Sequence, residues 1–285
     1  MTYKKIKTTL VLLAGLAAAC AEPQGDEATL YVSIAPLKEI VGGIVDDDFR
    51  LGIVVPAGAS PETYEPTPRQ FIELNRARLV FSVGLIDFEQ TLLQKIERRD
   101  RLVNLSCGID PIAGSCAHGH AEHTHTHGVD PHLWTSPRAL QRMAANAYEA
   151  IHAVYPDSAK YTRNYDRLQR RLQELDARTA EKIERSGVEY FIIYHPALTY
   201  YARDYGLEQA AIETDGKEPS ARHLGETIRR AREKGVRKIL YQSQLPASVV
   251  ETVAHDIGAQ AIRIDPMRED AIANIDEITD LIASK

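Results

Sequence analysis

The sequence predicts an α/β protein made of two lobes, each with a mainly parallel four-stranded sheet, joined by one long backbone helix. Eight short runs rich in β-branched and other apolar residues recur along the chain, four in each half. Helix-like segments separate most of these runs, and such alternation favours parallel sheets covered by helices. A highly charged stretch with a narrow apolar stripe, 157–186, lies between the two halves and is typical of a single amphipathic helix.

Residues 1–19 have the pattern of an export signal, in which three lysines precede a ten-residue apolar run. Such a run is too short to cross the ~30 Å hydrocarbon core of a membrane. The segment LAAAC, which ends at Cys20, resembles a bacterial lipobox with alanine at the position where leucine is usual. We expect a lipoprotein signal peptide at 1–19, lipidation of Cys20 and a polar tether over 20–28. The alternative is a plain secretory signal.

The N-terminal lobe is predicted over 29–156 and the C-terminal lobe over 187–285. Strands are predicted in the first lobe at 29–34, 50–54, 78–83 and 101–105. In the second lobe they are predicted at 189–194, 207–212, 236–241 and 259–264. Helix-like segments between them are 87–98, 219–234 and 246–257.

The linking helix is predicted over 157–186. Pro156 and the potential N-cap Asp157 favour a helix start, and Gly187 favours a helix end. Thirty helical residues extend about 45 Å, which is longer than a small lobe is wide. We therefore expect a stiff connector between the lobes rather than a flexible hinge.

The net charge is −6, and residues 1–19 contribute three lysines and no acid, so the rest of the chain carries a net charge of −9. An acidic body argues against a nucleic-acid partner and suits a protein that handles cations. An exported chain meets oxidising conditions, so Cys107 and Cys116 are expected to form a disulfide. The alternative is that Cys116, beside a group of histidines, is a metal ligand.

The segment 117–128 is rich in glycine, alanine and threonine and has no apolar periodicity. It contains five histidines: His118, His120, His123, His125 and His127. Histidine-rich tracts bind transition metals through exchangeable imidazoles, so we expect weak secondary metal binding here. The alternative is a low-complexity insertion without a function.

Four other potential metal ligands lie in loops that follow predicted strands or turns. His195 and Asp265 directly follow strands of the second half, and Glu62 lies in the loop after 50–54. His132 lies in a turn just before the helix that Ser136 is expected to cap. Ligands of open parallel α/β sheets bind at the carboxyl ends of the strands. The four residues therefore predict one site in the cleft between the lobes.

Several dispersed motifs resemble the ZnuA/TroA-type (cluster A-I) metal-binding proteins of ABC importers for zinc and manganese. They are PAGASPETYEPTP, DPHLWTSP, YPDSAKYTRNYDRLQRRLQELD, YHPALTYYARDYGL and IRIDPM, and they occur in the family's order over about residues 29–283. The resemblance implies two α/β lobes joined by a long helix. It also implies one divalent metal ion bound by Glu62, His132, His195 and Asp265. The implied partners are an ABC permease and, through it, its ATPase, with the chain acting as a monomer.

The resemblance has one departure, because the family usually has histidine where this chain has Glu62. Glutamate is a competent zinc ligand, although Glu65 or a histidine of 117–128 is an alternative donor. Two carboxylates beside two imidazoles also tolerate Mn²⁺ better than a three-histidine site does. The histidine-rich segment favours Zn²⁺, because family members with such a segment are usually zinc importers. We expect Zn²⁺, with Mn²⁺ as the alternative.

Two other functions remain open from the sequence. A secreted zinc hydrolase needs an open coordination position beside a base, and Glu65 is the available carboxylate, although no HExxH motif is present. A surface metal buffer or adhesin of the same fold would act without a transporter. The three remaining histidines outside these motifs, His152, His223 and His255, are expected to be surface or packing residues. Ser220 is expected to cap a helix.

Overall fold

The computed structural model describes residues 29–113, 128–213, 219–244 and 247–284. These residues contain two four-stranded sheets in which all paired strands are parallel. The strands of the first sheet are β1 (Thr29–Val32), β2 (Arg50–Ile53), β3 (Leu79–Ser82) and β4 (Leu102–Asn104). Those of the second are β5 (Tyr190–Ile193), β6 (Glu208–Ala211), β7 (Lys238–Gln242) and β8 (Gln260–Ile264). The predicted two-lobed α/β fold is confirmed.

The two sheets have the same internal order, β2-β1-β3-β4 in the first and β6-β5-β7-β8 in the second. In each sheet the chain begins on an inner strand, moves to one edge and then crosses to the other side. The connections that leave the carboxyl ends of the two inner strands therefore run to opposite edges of each sheet. This leaves a crevice between those strand ends, where a ligand can bind.

Helices alternate with the strands, as the sequence predicted. Those of the first half are α1 (Leu37–Val45), α2 (Pro68–Arg76), α3 (Asp87–Gln94) and α4 (Pro137–Val154). Helix α5 spans Ala159–Ser186, and the second half contains α6 (Thr199–Asp204), α7 (Ala221–Glu233), α8 (Ala247–Ile257) and α9 (Ala271–Ala283). Within the described ranges, no helix is both long and apolar enough to cross a membrane.

Helix α5 is the predicted connector, and it begins two residues later than the predicted start. Ser158 rather than Asp157 is its N-cap, because the Ser158 hydroxyl accepts a hydrogen bond from the Tyr161 N–H. Gly187 ends the helix in the left-handed region with a φ of 65°, a conformation that glycine adopts without steric cost. The 28 residues extend about 42 Å.

The apolar stripe of α5 packs against both lobes. Leu168 lies against Gly43 of α1, where an added Cβ would come within 3.3 Å of the leucine side chain. At the other end of the helix, Lys182 forms ion pairs with Asp276 and Asp280 of α9. One apolar core accordingly continues from the first sheet through α5 to the near face of the second sheet. A second, smaller core lies on the far face of the second sheet, under α7 and α8.

Candidate metal centre

The loop that carries Glu62 is supported from α2. Thr67 caps this helix, and Gln70 completes the capping box. The Gln70 side chain also donates to the Val54 carbonyl at 2.7 Å and accepts from the Tyr64 hydroxyl at 2.9 Å. These contacts hold the ends of the loop, whereas Glu62 itself keeps 38% of its side chain exposed.

The turn that carries His132 is buried and is attached to the opposite lobe. Asp130 Oδ1 accepts from the His132 backbone N–H at 2.8 Å and lies 2.9 Å from its ring Nδ1. The Tyr200 hydroxyl donates to the Asp130 carbonyl at 2.8 Å, and the Thr135 hydroxyl donates to the Ala197 carbonyl at 3.0 Å. Both contacts join the turn to the region of α6.

The helix after this turn begins as the sequence predicted. The Ser136 hydroxyl accepts from the Ala139 N–H at 3.2 Å, and Pro137 occupies the first turn. The indole N–H of Trp134 donates to the Pro266 carbonyl at 2.9 Å, which ties the same turn to the segment after β8. The position of His132 therefore depends on both halves of the chain.

His195 follows β5 and is fixed by both neighbouring strands. Gln242 at the end of β7 donates to the His195 carbonyl at 2.7 Å and accepts from its backbone N–H at 3.3 Å. Glu213, just beyond β6, lies on the other side, with its Oε1 3.2 Å from the ring Nδ1 of His195. The ring Nε2 is thereby directed toward the cleft.

Glu62, His132 and His195 come together there. Each offers one ligand atom, and the three atoms lie within 4.8 Å of one another. The two Nε2 atoms are 3.3 Å apart, and Glu62 Oε1 lies 2.7 Å from that of His195 and 3.6 Å from that of His132. Ligands about 2.0–2.1 Å from a tetrahedral zinc ion are about 3.3–3.4 Å from one another. The distance between the two Nε2 atoms matches this spacing, whereas Glu62 Oε1 lies closer to His195 and would have to move away from it for the three atoms to share a zinc ion.

The three side chains shift one another's protonation. Burial alone would lower the pKa of His195, but hydrogen bonds and charges from Glu213 and Glu62 raise it to about 10. Burial alone would raise the pKa of Glu62, but the hydrogen bond from His195 and the charges of both histidines lower it below its usual value. Asp130 is affected in the same way, since His132 outweighs burial and lowers its pKa.

The three donors line a small cavity of about 40 Å³. Its other walls include Pro61, Trp134 and Met267. Pockets for organic ligands are typically about 300–1,000 Å³, whereas a cavity of this size admits an ion and very few waters. The site is therefore sized for a metal ion.

Asp265, the fourth predicted ligand, does not belong to this three-residue group. It directly follows β8, as expected, and Pro266 and Met267 beside it line the cavity. However, its Oδ1 accepts from the Gln244 side chain at 2.8 Å and from the Met267 N–H at 3.0 Å. Its role as a ligand stays a prediction. Glu65 is exposed and is likewise not a member of the group.

Several predicted residues lie outside the described ranges. They are Cys20, Cys116 and the five histidines His118, His120, His123, His125 and His127. Cys107 is exposed and has no disulfide partner among the residues that the structure describes, and its pairing with Cys116 stays a prediction. Two residues that flank the histidine-rich segment, Ala113 and Val129, form an antiparallel bridge.

The remaining histidines have surface or packing contacts, as predicted. His152 stacks on Tyr148, His223 Nε2 lies 3.0 Å from the Ala211 carbonyl oxygen, and His255 is 91% exposed. Ser220 caps α7, with its hydroxyl accepting from the backbone N–H of His223.

Two carboxylates that contact the histidine rings, Asp130 and Glu213, were not predicted from the sequence. A signal for Glu213 was available, because it directly follows the predicted strand 207–212, as His195 follows the predicted strand 189–194. A signal for Asp130 was its position two residues before a histidine, where an aspartate side chain can reach the following backbone.

Two α/β lobes joined by a long helix, with two histidines and a carboxylate meeting between them, define a metal-binding protein of the solute-binding class. The family model for the periplasmic zinc-uptake complex component A, ZnuA, matches residues 30–283. The chain belongs to this family.

Individual relatives agree with the family match. The high-affinity zinc uptake system protein ZnuA of Bacillus subtilis is 31% identical over 256 residues, covering 84% of this chain and 78% of that protein. The zinc-binding lipoprotein AdcA of Streptococcus pneumoniae is 25% identical over 280 residues, covering 93% of this chain and 55% of AdcA, so the chain spans about half the length of that relative. A crystal structure of ZnuA aligns with a TM-score of 0.82 and 30% identity, covering 90% of this chain and 98% of the other.

Proposed function

We propose that this protein is the zinc-binding component of an ABC importer, which captures Zn²⁺ between its lobes and delivers it to a membrane permease coupled to an ATPase. The observation that carries the proposal is the convergence of Glu62, His132 and His195 within 4.8 Å in a chain of the ZnuA family. The curated relatives that it resembles are named for zinc uptake and zinc binding.

We further propose that Glu62, His132, His195 and Asp265 are the zinc ligands. The first three are supported by their mutual distances. Asp265 is supported only by its position after β8, beside two residues that line the cavity. If Asp265 binds zinc, Asp265→Asn should weaken binding by about threefold to tenfold, because Gln244 and the Met267 N–H already compete for the carboxylate. Unchanged affinity would leave a water or Glu65 as the fourth ligand.

Zinc is the proposed metal, with manganese as the alternative. Two imidazoles favour zinc, whereas the carboxylate of Glu62 is also a suitable donor for Mn²⁺. The distance of 3.3 Å between the two histidine Nε2 atoms fits the short bonds of a four-coordinate ion. The segment 117–128 is proposed as a weak secondary zinc site through its five histidines.

A binding protein is favoured over a hydrolase. With Asp265 as the proposed fourth ligand, no open position would remain for a water nucleophile. The cavity of about 40 Å³ is also small for a peptide or ester. The hydrolase alternative predicts zinc-dependent turnover of model esters or peptides, which the proposed function does not.

The N-terminal features are proposed to attach the protein to a membrane on its exported side. Residues 1–19 would be the signal peptide and Cys20 the lipidated residue. Residues 20–28 would be the tether to the two lobes, 29–156 and 187–285. The protein would act as a monomer. Cys20→Ser should release the protein into the soluble fraction, because stable anchoring takes more than one acyl chain. Retention of the variant on membranes would contradict the anchor.

The central experiment is a competition titration of the purified chain with Zn²⁺ and Mn²⁺ against a calibrated chelator. One tight zinc equivalent is expected, together with weaker equivalents that disappear when 117–128 is deleted. The deletion should change the tight affinity by less than about tenfold, or ~1.4 kcal/mol. Absence of tight zinc binding by the wild type, or tighter binding of Mn²⁺ than of Zn²⁺, would overturn the proposed function.

A further inference from the structure

Glu213 and His195 occupy equivalent positions on neighbouring parallel strands. β6 pairs with β5 so that Ala211 lies beside Ile193. Glu213 comes two residues after Ala211, and His195 comes two residues after Ile193. The ladder continues past the strand ends, because the Glu213 N–H donates to the Tyr194 carbonyl at 2.9 Å. The backbone pairing therefore holds Glu213 beside His195.

The Glu213 side chain is 8% exposed, and its Oε1 lies 3.2 Å from the ring Nδ1 of His195. A buried carboxylate is unfavourable unless it is paired, and an apolar residue of similar volume is often accommodated more easily. The imidazole ring accounts for a carboxylate at this position, because it supplies the donor that an apolar environment would lack.

An ionised carboxylate only accepts hydrogen bonds. Its partner nitrogen must therefore carry the proton, which leaves the other ring nitrogen of the histidine as the ligand for a metal ion. In His195 the partner is Nδ1, and the nitrogen that remains is Nε2, which faces Glu62 and His132. Gln242, at the end of β7 on the other side of β5, fixes the backbone of His195, so Glu213 is left to fix the ring.

We propose that Glu213 is a positioning residue of the metal site, which orients the His195 ring and selects the tautomer that binds zinc through Nε2. The inference rests on the zinc-binding function proposed above. Glu213 acts through His195 and does not itself contact the ion.

The test compares Glu213→Gln and Glu213→Leu with the wild type. Glutamine keeps the volume but can rotate its amide to donate or accept, so it no longer imposes one tautomer. Leucine removes the acceptor. The matched control is Glu208→Leu, which removes an exposed carboxylate of the same strand that pairs with Arg230 and not with the site.

Two quantities are measured on each purified full chain: zinc affinity by chelator competition, and the ring ¹⁵N signals of His195 with zinc bound, assigned with His195→Ala. Loss of a residue that orients a metal-ligating histidine typically costs about 10–100-fold in affinity. We expect that loss in the leucine variant, about threefold to tenfold in the glutamine variant, and none in the control. The wild-type ring should show a zinc-bound Nε2 and a hydrogen-bonded, protonated Nδ1. In the leucine variant the Nδ1–H signal should be shifted by loss of that hydrogen bond, with a fraction of the rings bound to zinc through Nδ1.

Wild-type affinity and ring signals in both variants would overturn the inference. Weaker binding with unchanged ring signals would also overturn it, because that result indicates general destabilisation. If the leucine variant does not fold, the glutamine variant decides alone by the same criteria. Failure of the wild type to bind zinc tightly would instead contradict the proposed function.

Discussion

The Nε2 atoms of His132 and His195 are 3.3 Å apart, but one ring has a carboxylate partner close to it in the sequence and the other has a partner on a neighbouring strand. The partner of His132 is Asp130, two residues earlier in the same turn. The partner of His195 is Glu213, eighteen residues later on a neighbouring strand. The local pair also shapes its own backbone, because Asp130 accepts from the His132 N–H. The long-range pair leaves the backbone of His195 to Gln242.

Asp130 contacts both the ring and the backbone of His132, whereas Glu213 and Gln242 divide these two contacts at His195. Loss of Asp130 removes both the orientation of a ring and a hydrogen bond of the turn. Loss of Glu213 removes only the orientation of a ring. Glu62 is a third case, since it is partly exposed and lies on a loop that is held mainly at its ends.

The largest expected effect is the loss of either ring. His132→Ala and His195→Ala should each weaken zinc binding by at least about a hundredfold, or ~2.7 kcal/mol, because water replaces an imidazole ligand. Chelator competition measures both constants. His255→Ala is the control, since this ring is 91% exposed and lies outside the site. A loss confined to one of the two variants would contradict a shared site.

The comparison is sharpened by Asp130→Ala. We expect about a 10–100-fold loss of zinc affinity together with a lower melting temperature. The buried N–H of His132 loses its acceptor, which costs about 1–3 kcal/mol. Glu213→Gln should weaken zinc binding with a much smaller change in stability. Thermal unfolding of both chains without added metal checks this contrast, and equal destabilisation would remove it.

Glu62→Ala should weaken zinc binding by about tenfold or more, or ~1.4 kcal/mol, because a charged donor is replaced by water. Glu62→His should keep tight zinc binding and reduce affinity for Mn²⁺, since imidazole favours the later first-row metals. Titration with both metals measures the two effects. Wild-type zinc affinity in the alanine variant, beside a clear loss in His132→Ala, would exclude Glu62 as a ligand.

The last expected effect is the dependence of zinc affinity on pH, which is spread over several pH units. The pKa of His195 is raised to about 10, so below that pH its ring carries a proton that zinc must displace. Affinity should therefore rise with pH, by up to about tenfold per unit, until the pH approaches 10. Calorimetry in buffers of different ionisation enthalpy should detect the released proton. Affinity independent of pH between 7 and 9 would contradict this.

Much of the fold could be predicted because its signals are local. Each of the eight apolar runs formed a strand, since short β-branched segments between helical segments are buried in parallel sheets. Gly187 ended the linking helix at the predicted residue because its left-handed φ is a property of that one position. The predicted helix start was wrong by two residues, because Asp157 and Ser158 are both competent caps and the Ser158 hydroxyl accepts the capping hydrogen bond.

The candidate site was predictable in part. Glu62, His132 and His195 converge as the strand-end rule and the family motifs suggested. Asp265 follows its strand as expected, but the direction of a side chain in a turn depends on competing donors, here Gln244 and the Met267 N–H. The sequence pattern does not show which of these donors the Asp265 carboxylate will bind.

The sequence by itself determined the strands, the helices and the residue types available at the carboxyl ends of the sheets, because propensity and periodicity act over a few neighbouring residues. Only the tertiary structure decided which of those residues meet. The pairing of β5 with β6 sets Glu213 beside His195, and contacts from α6 and from Pro266 hold the His132 turn against the second lobe. Such contacts join residues far apart in the chain, and their geometry is set by how the two sheets pack around α5.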